Sequence, residues 1–197
     1  MTIQISGLGA VFPDADFSLQ NYAVAPKTYV DRASALALAA ASLALQNAGF
    51  SGPLGEEFGL VTATQFGCVE TMRAFENSLH EKGAKGASPI LFSHSYFNSP
   101  AAILAIEWGI RGYHAPLVGQ NSALEALELA QMILKNGDAK HVLVGAFEAK
   151  SPARIWGGEP LDSQREGAVF AVLSADSGEK NSDFAEVKSL FENLGHV

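Results

Sequence analysis

Nucleophilic catalysis needs a thiol, hydroxyl, amine or carboxylate beside a base, and the 197-residue sequence offers few places for such a pair. The stretch VGQNSALEAL, residues 118–127, joins an apolar strand-like run to a helical pattern. A strand, a sharp turn and a helix are the arrangement that lifts a nucleophile into the open. The residue at the apex is Gln120, whose carboxamide does not attack. Ser122, two residues on, fits a helix N-cap better than an acyl acceptor. The single cysteine, Cys68, lies at a helix start, where a backbone dipole can lower a thiol pKa. No His with Asp or Asn forms a supporting motif for it, so a small buried apolar role is expected. The histidines, His80, His94, His114, His141 and His196, are scattered. No Cys/His cluster has metal-ligand spacing and no phosphate loop of the Gly-x-x-x-x-Gly-Lys type occurs, so neither metal nor cofactor is expected. GLGAVF, residues 7–12, carries Gly-x-Gly after a strand, but Phe12 stands where the third glycine of a dinucleotide fingerprint belongs, and proline follows.

A second stretch, FSHSYFNSPAA at 92–102, gathers Phe92, Tyr96 and Phe97. Three rings so close in sequence fit an aromatic core or the wall of an apolar tunnel, and sequence alone does not separate the two.

The elements that must position these residues alternate. Residues 3–12 read as a buried strand and 13–30 as a short irregular connection. DRASALALAAASLALQNAGF reads as a helix with Asp31 at its start and Gly49 at its end. Its apolar residues nearly encircle it, the pattern of a helix between layers. A strand follows at 58–65, then an amphipathic helix ended by Gly83 and another over SPAAILAIEWGI. A strand, APLVG, leads to the helix 122–135; further strands are expected at 141–149 and 166–175, with one more starting in FAEVKSLFE. This order implies a layered α/β domain spanning 1–197. The loop around ARIWGGEPLDSQREG reads as internal rather than as a linker.

Composition narrows the function. Apolar residues make up 48%, net charge is −8 and the pI is about 5.0. No basic stripe suits nucleic acid, and the acidic balance disfavours anionic lipid, though not an acidic protein partner. The first residues lack the basic and apolar regions of a signal peptide. The apolar run 33–45 is too short to span a bilayer. One cysteine precludes an internal disulfide and fits a reducing, cytoplasmic setting.

Five pieces in order resemble the N-terminal half of a β-ketoacyl synthase of the thiolase fold. SGLGAVFP is similar to its opening strand, and RASALALAAASLALQNAGF to its first long helix. SPILFSHSYFNSPAAILAIEWGIRG is similar to the stretch leading into its interface helix. NGDAKHVLVGAFEA resembles the segment that ends in a Gly-rich strand and Glu-Ala. PLDSQREGAVFAVL resembles Pro-x-Asp-x-x-Arg-x-Gly and the next strand. The resemblance implies half of a thiolase-like fold: one five-stranded, mainly parallel sheet with helices on both faces. It places the catalytic cysteine at Gln120, with no gap needed between Val118 and Ala149. It ends where the family's second half, bearing two catalytic histidines, would begin. None of the five histidines here lies in a segment like those motifs, and the connection 13–30 is shorter than the family's.

Chain-length factors, the inactive partners of type II polyketide ketosynthases, also carry Gln at this elbow, in a stretch similar to QNSALEAL. The resemblance therefore implies a non-catalytic subunit that pairs with a full-length ketosynthase and shapes its acyl tunnel, with acyl carrier protein as a further partner. Small subunits of aryl polyene pathways are similar. Phe92, Tyr96 and Phe97 then become candidates for the interface and the tunnel end, where bulky rings would limit chain length. For Gln120 three readings stand: a satisfied polar residue in a dead pocket, a filler that helps hold the partner's pocket, or a carboxamide that stabilises the enolate of malonyl decarboxylation. Two other functions stand beside the subunit: a Gln-type malonyl-carrier-protein decarboxylase and a self-associating scaffold or carrier-binding module. The helix over 33–45 is expected to expose an apolar face that needs a partner.

Overall fold

A computed structural model describes residues 2–13, 16–157, 160, 164–176 and 184–194. His196 and residues 161–163 of the Pro-x-Asp segment lie outside these. The strands are β1 (Thr2–Val11), β2 (Phe58–Thr64), β3 (His114–Val118), β4 (His141–Glu148) and β5 (Gly167–Asp176). The helices are α1 (Arg32–Asn47), α2 (Val69–Gly86), α3 (Pro89–His94), α4 (Ser99–Trp108), α5 (Ser122–Asn136) and α6 (Phe184–Asn193).

The strands form one sheet in the order β1-β5-β4-β2-β3. β2 pairs in parallel with both β3 and β4, while β5 lies antiparallel between β1 and β4. The sheet is thus mixed rather than mainly parallel. A parallel neighbour requires a long crossover, usually a helix; between β4 and β5 the described residues hold only a 3-10 turn at Pro152–Gly157, and β5 returns antiparallel.

Period-two alternation in β4 separates two cores. Leu143 and Phe147 face the cluster built with α1, α4, Phe58 and Phe170, whereas Val142, Val144 and Ala146 face the one built with α5 and α6. Asp31 caps α1, its carboxylate accepting from the Ser34 amide at 2.9 Å and the Ser34 hydroxyl at 2.7 Å. α1 sits so close to β1 that a Cβ at Gly9 would lie 2.2 Å from the Ala40 carbonyl oxygen. The Gly-x-Gly of the first strand therefore serves helix–strand contact.

The expected exposure of α1 is not found. Leu36 through Ala41 are fully buried within this chain. The cover is α4 and the connection after β1, whose Phe17, Leu19, Tyr22, Val24 and Val30 pack on the same core. A Lys27–Glu107 ion pair, with the Ala25 amide donating to Glu107 at 2.7 Å, ties that connection to α4. The apolarity of α1 is satisfied internally and gives no sign of a partner.

A second correction concerns FAEVKSLFE, which is helix α6 and not a strand. Val187 and Phe191, four apart, are both buried and set a helical period. In α2, Gly83 breaks the helix with φ 67°, and one further turn runs to Gly86. Among the described residues no helix is long and apolar enough to cross a membrane.

Candidate functional site

The turn 119–121 joins the C-terminal end of β3 to α5. Two bonds fasten it to the last residue of β2: the Gly119 amide and the Ser122 hydroxyl both donate to the Thr64 carbonyl, at 3.1 Å and 3.3 Å. Ser122 is the buried first residue of α5 rather than its N-cap, which is Asn121. Gln120 stands exposed at the apex, not enclosed in a pocket. No described residue other than glycine has a positive φ, so Gln120 carries none of the strain of a nucleophile elbow.

Behind the turn lies a buried ionic centre that sequence reasoning passed over. Glu148 ends β4 at 1% exposure. Its carboxylate accepts from the Thr64 hydroxyl at 2.8 Å, from the Phe66 amide at 3.2 Å and from the Gln65 amide. Arg154 lies 4.0 Å from Glu148, equally buried. Its guanidinium donates to the carbonyls of Ala149 at 2.9 Å and Arg165 at 3.1 Å, and rests 4.6 Å over the Phe66 ring. A carboxylate closing the fully apolar run VLVGAF was the available signal, because a charge in a strand buried on both faces demands a partner. The centre locks the β2–α2 loop to the end of β4.

Cys68 is buried at the start of α2, its thiol donating to the Tyr96 carbonyl at 3.0 Å. Burial, with a smaller contribution from Asp31, pushes its pKa up to about 12, the reverse of an activated thiol. A 210 Å³ cleft beside it is lined by Tyr29, Arg32, Glu70 and Ser151 among others.

The three aromatic candidates are not core. Phe92, Tyr96 and Phe97 are 48%, 50% and 39% exposed. Phe92 bridges the rings of Phe75 and Tyr96, at 5.4 Å and 5.3 Å. Phe97 packs over Gly67, where a Cβ would come within 3.1 Å of the ring and 3.2 Å of the Thr64 methyl. The Gly67 amide donates to the Thr64 hydroxyl at 2.7 Å, so Gly67 lies between the Phe97 ring and the residue that holds the Gln120 turn. Tyr96 also lines a 340 Å³ groove with His94, Ile103 and Ile106, the last 81% exposed. Ile90 on α3 and Val118 on β3 are further large apolar side chains open to solvent.

No curated protein matches the sequence. The fold resembles the ishigamide ketosynthase/chain length factor, with TM-score 0.75 and 22% identity over 92% of this chain and 64% of that one. It also resembles a chain of the ketosynthase ApeO in complex with its chain length factor ApeC from Xenorhabdus doucetiae, with TM-score 0.63 and 17% identity over 90% and 81%. A β-ketoacyl synthase from Burkholderia phymatum STM815 gives TM-score 0.70 and 18% identity over 95% and 61%. The chain thus spans less than two thirds of the length of the ishigamide and Burkholderia proteins. The family model for the β-ketoacyl synthase N-terminal domain matches residues 4–159, and the chain belongs to that family.

Proposed function

We propose that this chain is a non-catalytic, chain-length-factor-like subunit that pairs with an active ketosynthase and shapes its acyl tunnel. The observation that carries the reading is Gln120 at the β3–α5 apex, where the sequence resemblance implies the family's cysteine, with Cys68 buried and held protonated. The large apolar side chains left open to solvent on α3, α4 and β3 support a protein partner. An obligate pairing would bury roughly 2,000 Å² or more. The likeness to structures described as ketosynthase–chain length factor pairs and as an acyl-carrier protein bound to its ketosynthase supports the same partners here.

The test is co-expression with a ketosynthase from the same organism, followed by sedimentation and mass analysis of carrier-bound chains. The subunit reading expects one co-sedimenting complex, no condensation by the isolated chain, and no rescue by Gln120→Cys. Two independent species at micromolar concentration, or condensation by the chain alone, would overturn it. Release of CO2 from malonyl carrier protein by the chain alone would point instead to the decarboxylase.

A further inference from the structure

The open edge of the sheet carries a selective device. Among the described residues β3 ends the strand order and pairs only with β2. The Leu60 amide donates to the Tyr113 carbonyl at 2.8 Å, and the Gly119 amide to Thr64 at 3.1 Å. Tyr113 and Gly119, which flank β3, are both odd-numbered, and backbone groups alternate along a strand. Residues 113, 115, 117 and 119 therefore turn their amides and carbonyls toward β2, whereas 114, 116 and 118 turn theirs to the open edge. Residue 116 is proline. Its missing N–H costs nothing toward β2 and removes the central donor of the edge that a further strand would meet.

We infer that Pro116 bars this edge from pairing with a second copy of the chain, so that any strand completing it comes from a different protein; this rests on the subunit reading for the partner's role. In an antiparallel pair, residues whose amide and carbonyl face the partner exchange both hydrogen bonds. Pro116 therefore leaves one partner carbonyl without a donor and sets its ring against it. A two-fold pair of identical strands meets this defect twice, since every contact is repeated by symmetry. With the two-fold axis at residue 116, two prolines face each other and both central bonds vanish. With the axis shifted by one residue, each proline faces a carbonyl of His114 or Val118. A different strand meets the defect once and can bulge or place a small residue opposite it.

The test uses the purified chain alone. Self-association of wild type, Pro116→Ala and Pro116→Val is measured by sedimentation equilibrium, with hydrogen exchange on the same samples and circular dichroism to confirm folding. Both variants restore two donors per dimer. They are expected to self-associate at least about tenfold more tightly than wild type, with new protection confined to residues 113–119. Equal association of wild type and both variants, protection of 113–119 in wild-type dimers, or tighter association without that protection would overturn the inference. No ketosynthase is present, so a ketosynthase that fails to bind sinks the subunit reading without altering this result.

Discussion

At the scale of single residues, the ionic centre behind the turn is the costliest place to disturb. Glu148→Ala strands Arg154 in the interior and strips three donors of their acceptor. Urea unfolding should show a loss of about 3–5 kcal/mol; Thr64→Val, which removes one donor, should cost about 1–3 kcal/mol. His141 gives the chain a pH response. It stacks on Phe58 at 5.0 Å, meets Phe50 at 4.8 Å and shares a 2.8 Å hydrogen bond with Ser174. Burial, the largest cause, holds its pKa below the ordinary 6.5. The unfolded chain therefore takes up the proton first, so this contribution is present above about pH 6.5 and is lost as the pH falls through the folded value. His114 is lowered by burial in the same direction, so the share of His141 is read as the slope that His141→Phe removes from stability measured between pH 7 and 5. Cys68 has the opposite sense: its raised pKa makes it inert to thiol reagents at pH 8 until the chain is unfolded, which a comparison of labelling rates with and without denaturant checks.

At the scale of elements, the contact between β1 and α1 decides whether the sheet can form. Gly9→Ala would drive a methyl into the Ala40 carbonyl and the Ala44 amide, at 2.2 Å and 2.5 Å. Both obstacles are backbone, so the helix must move and take the core with it. The expected loss is about 1–3 kcal/mol or more, seen as a lowered urea midpoint. The connection at 17–30 acts with α4 as the outer wall of α1. This satisfies a helix whose sequence has no polar face.

For the whole molecule, the exposed aromatic surface on α3 and α4 separates a partner's role from a core role. A core ring cut to Ala costs about 3–5 kcal/mol. Phe92, Tyr96 and Phe97 are each more than a third exposed, so their Ala variants should lose less than about 1 kcal/mol in the isolated chain. In the complex with a ketosynthase, the same variants should yield longer carrier-bound products at unchanged complex yield, read by mass analysis. Phe97→Ala is expected to have the largest effect, since its ring lies over Gly67 beside Thr64, which holds the Gln120 turn. Unchanged lengths for all three would remove the gate from this segment.

Apart from α3, whose six residues are too few to show a helical period, the sequence by itself determined the strand and helix segments as far as β5 and the turn that carries Gln120. Each is written locally, in periodicity, caps and glycines. α6 was misread because a short apolar segment serves either period, and Val187 and Phe191 reveal theirs only once buried. Tertiary structure alone decided that β5 enters antiparallel between β1 and β4, since its pairing with β1 joins residues more than a hundred positions apart and leaves no local trace. It also decided what covers α1: an all-round apolar helix shows that it will be buried, not by what. The same holds for the rings at 92–97, where aromatic content states how much surface could be buried and only the fold leaves that surface open.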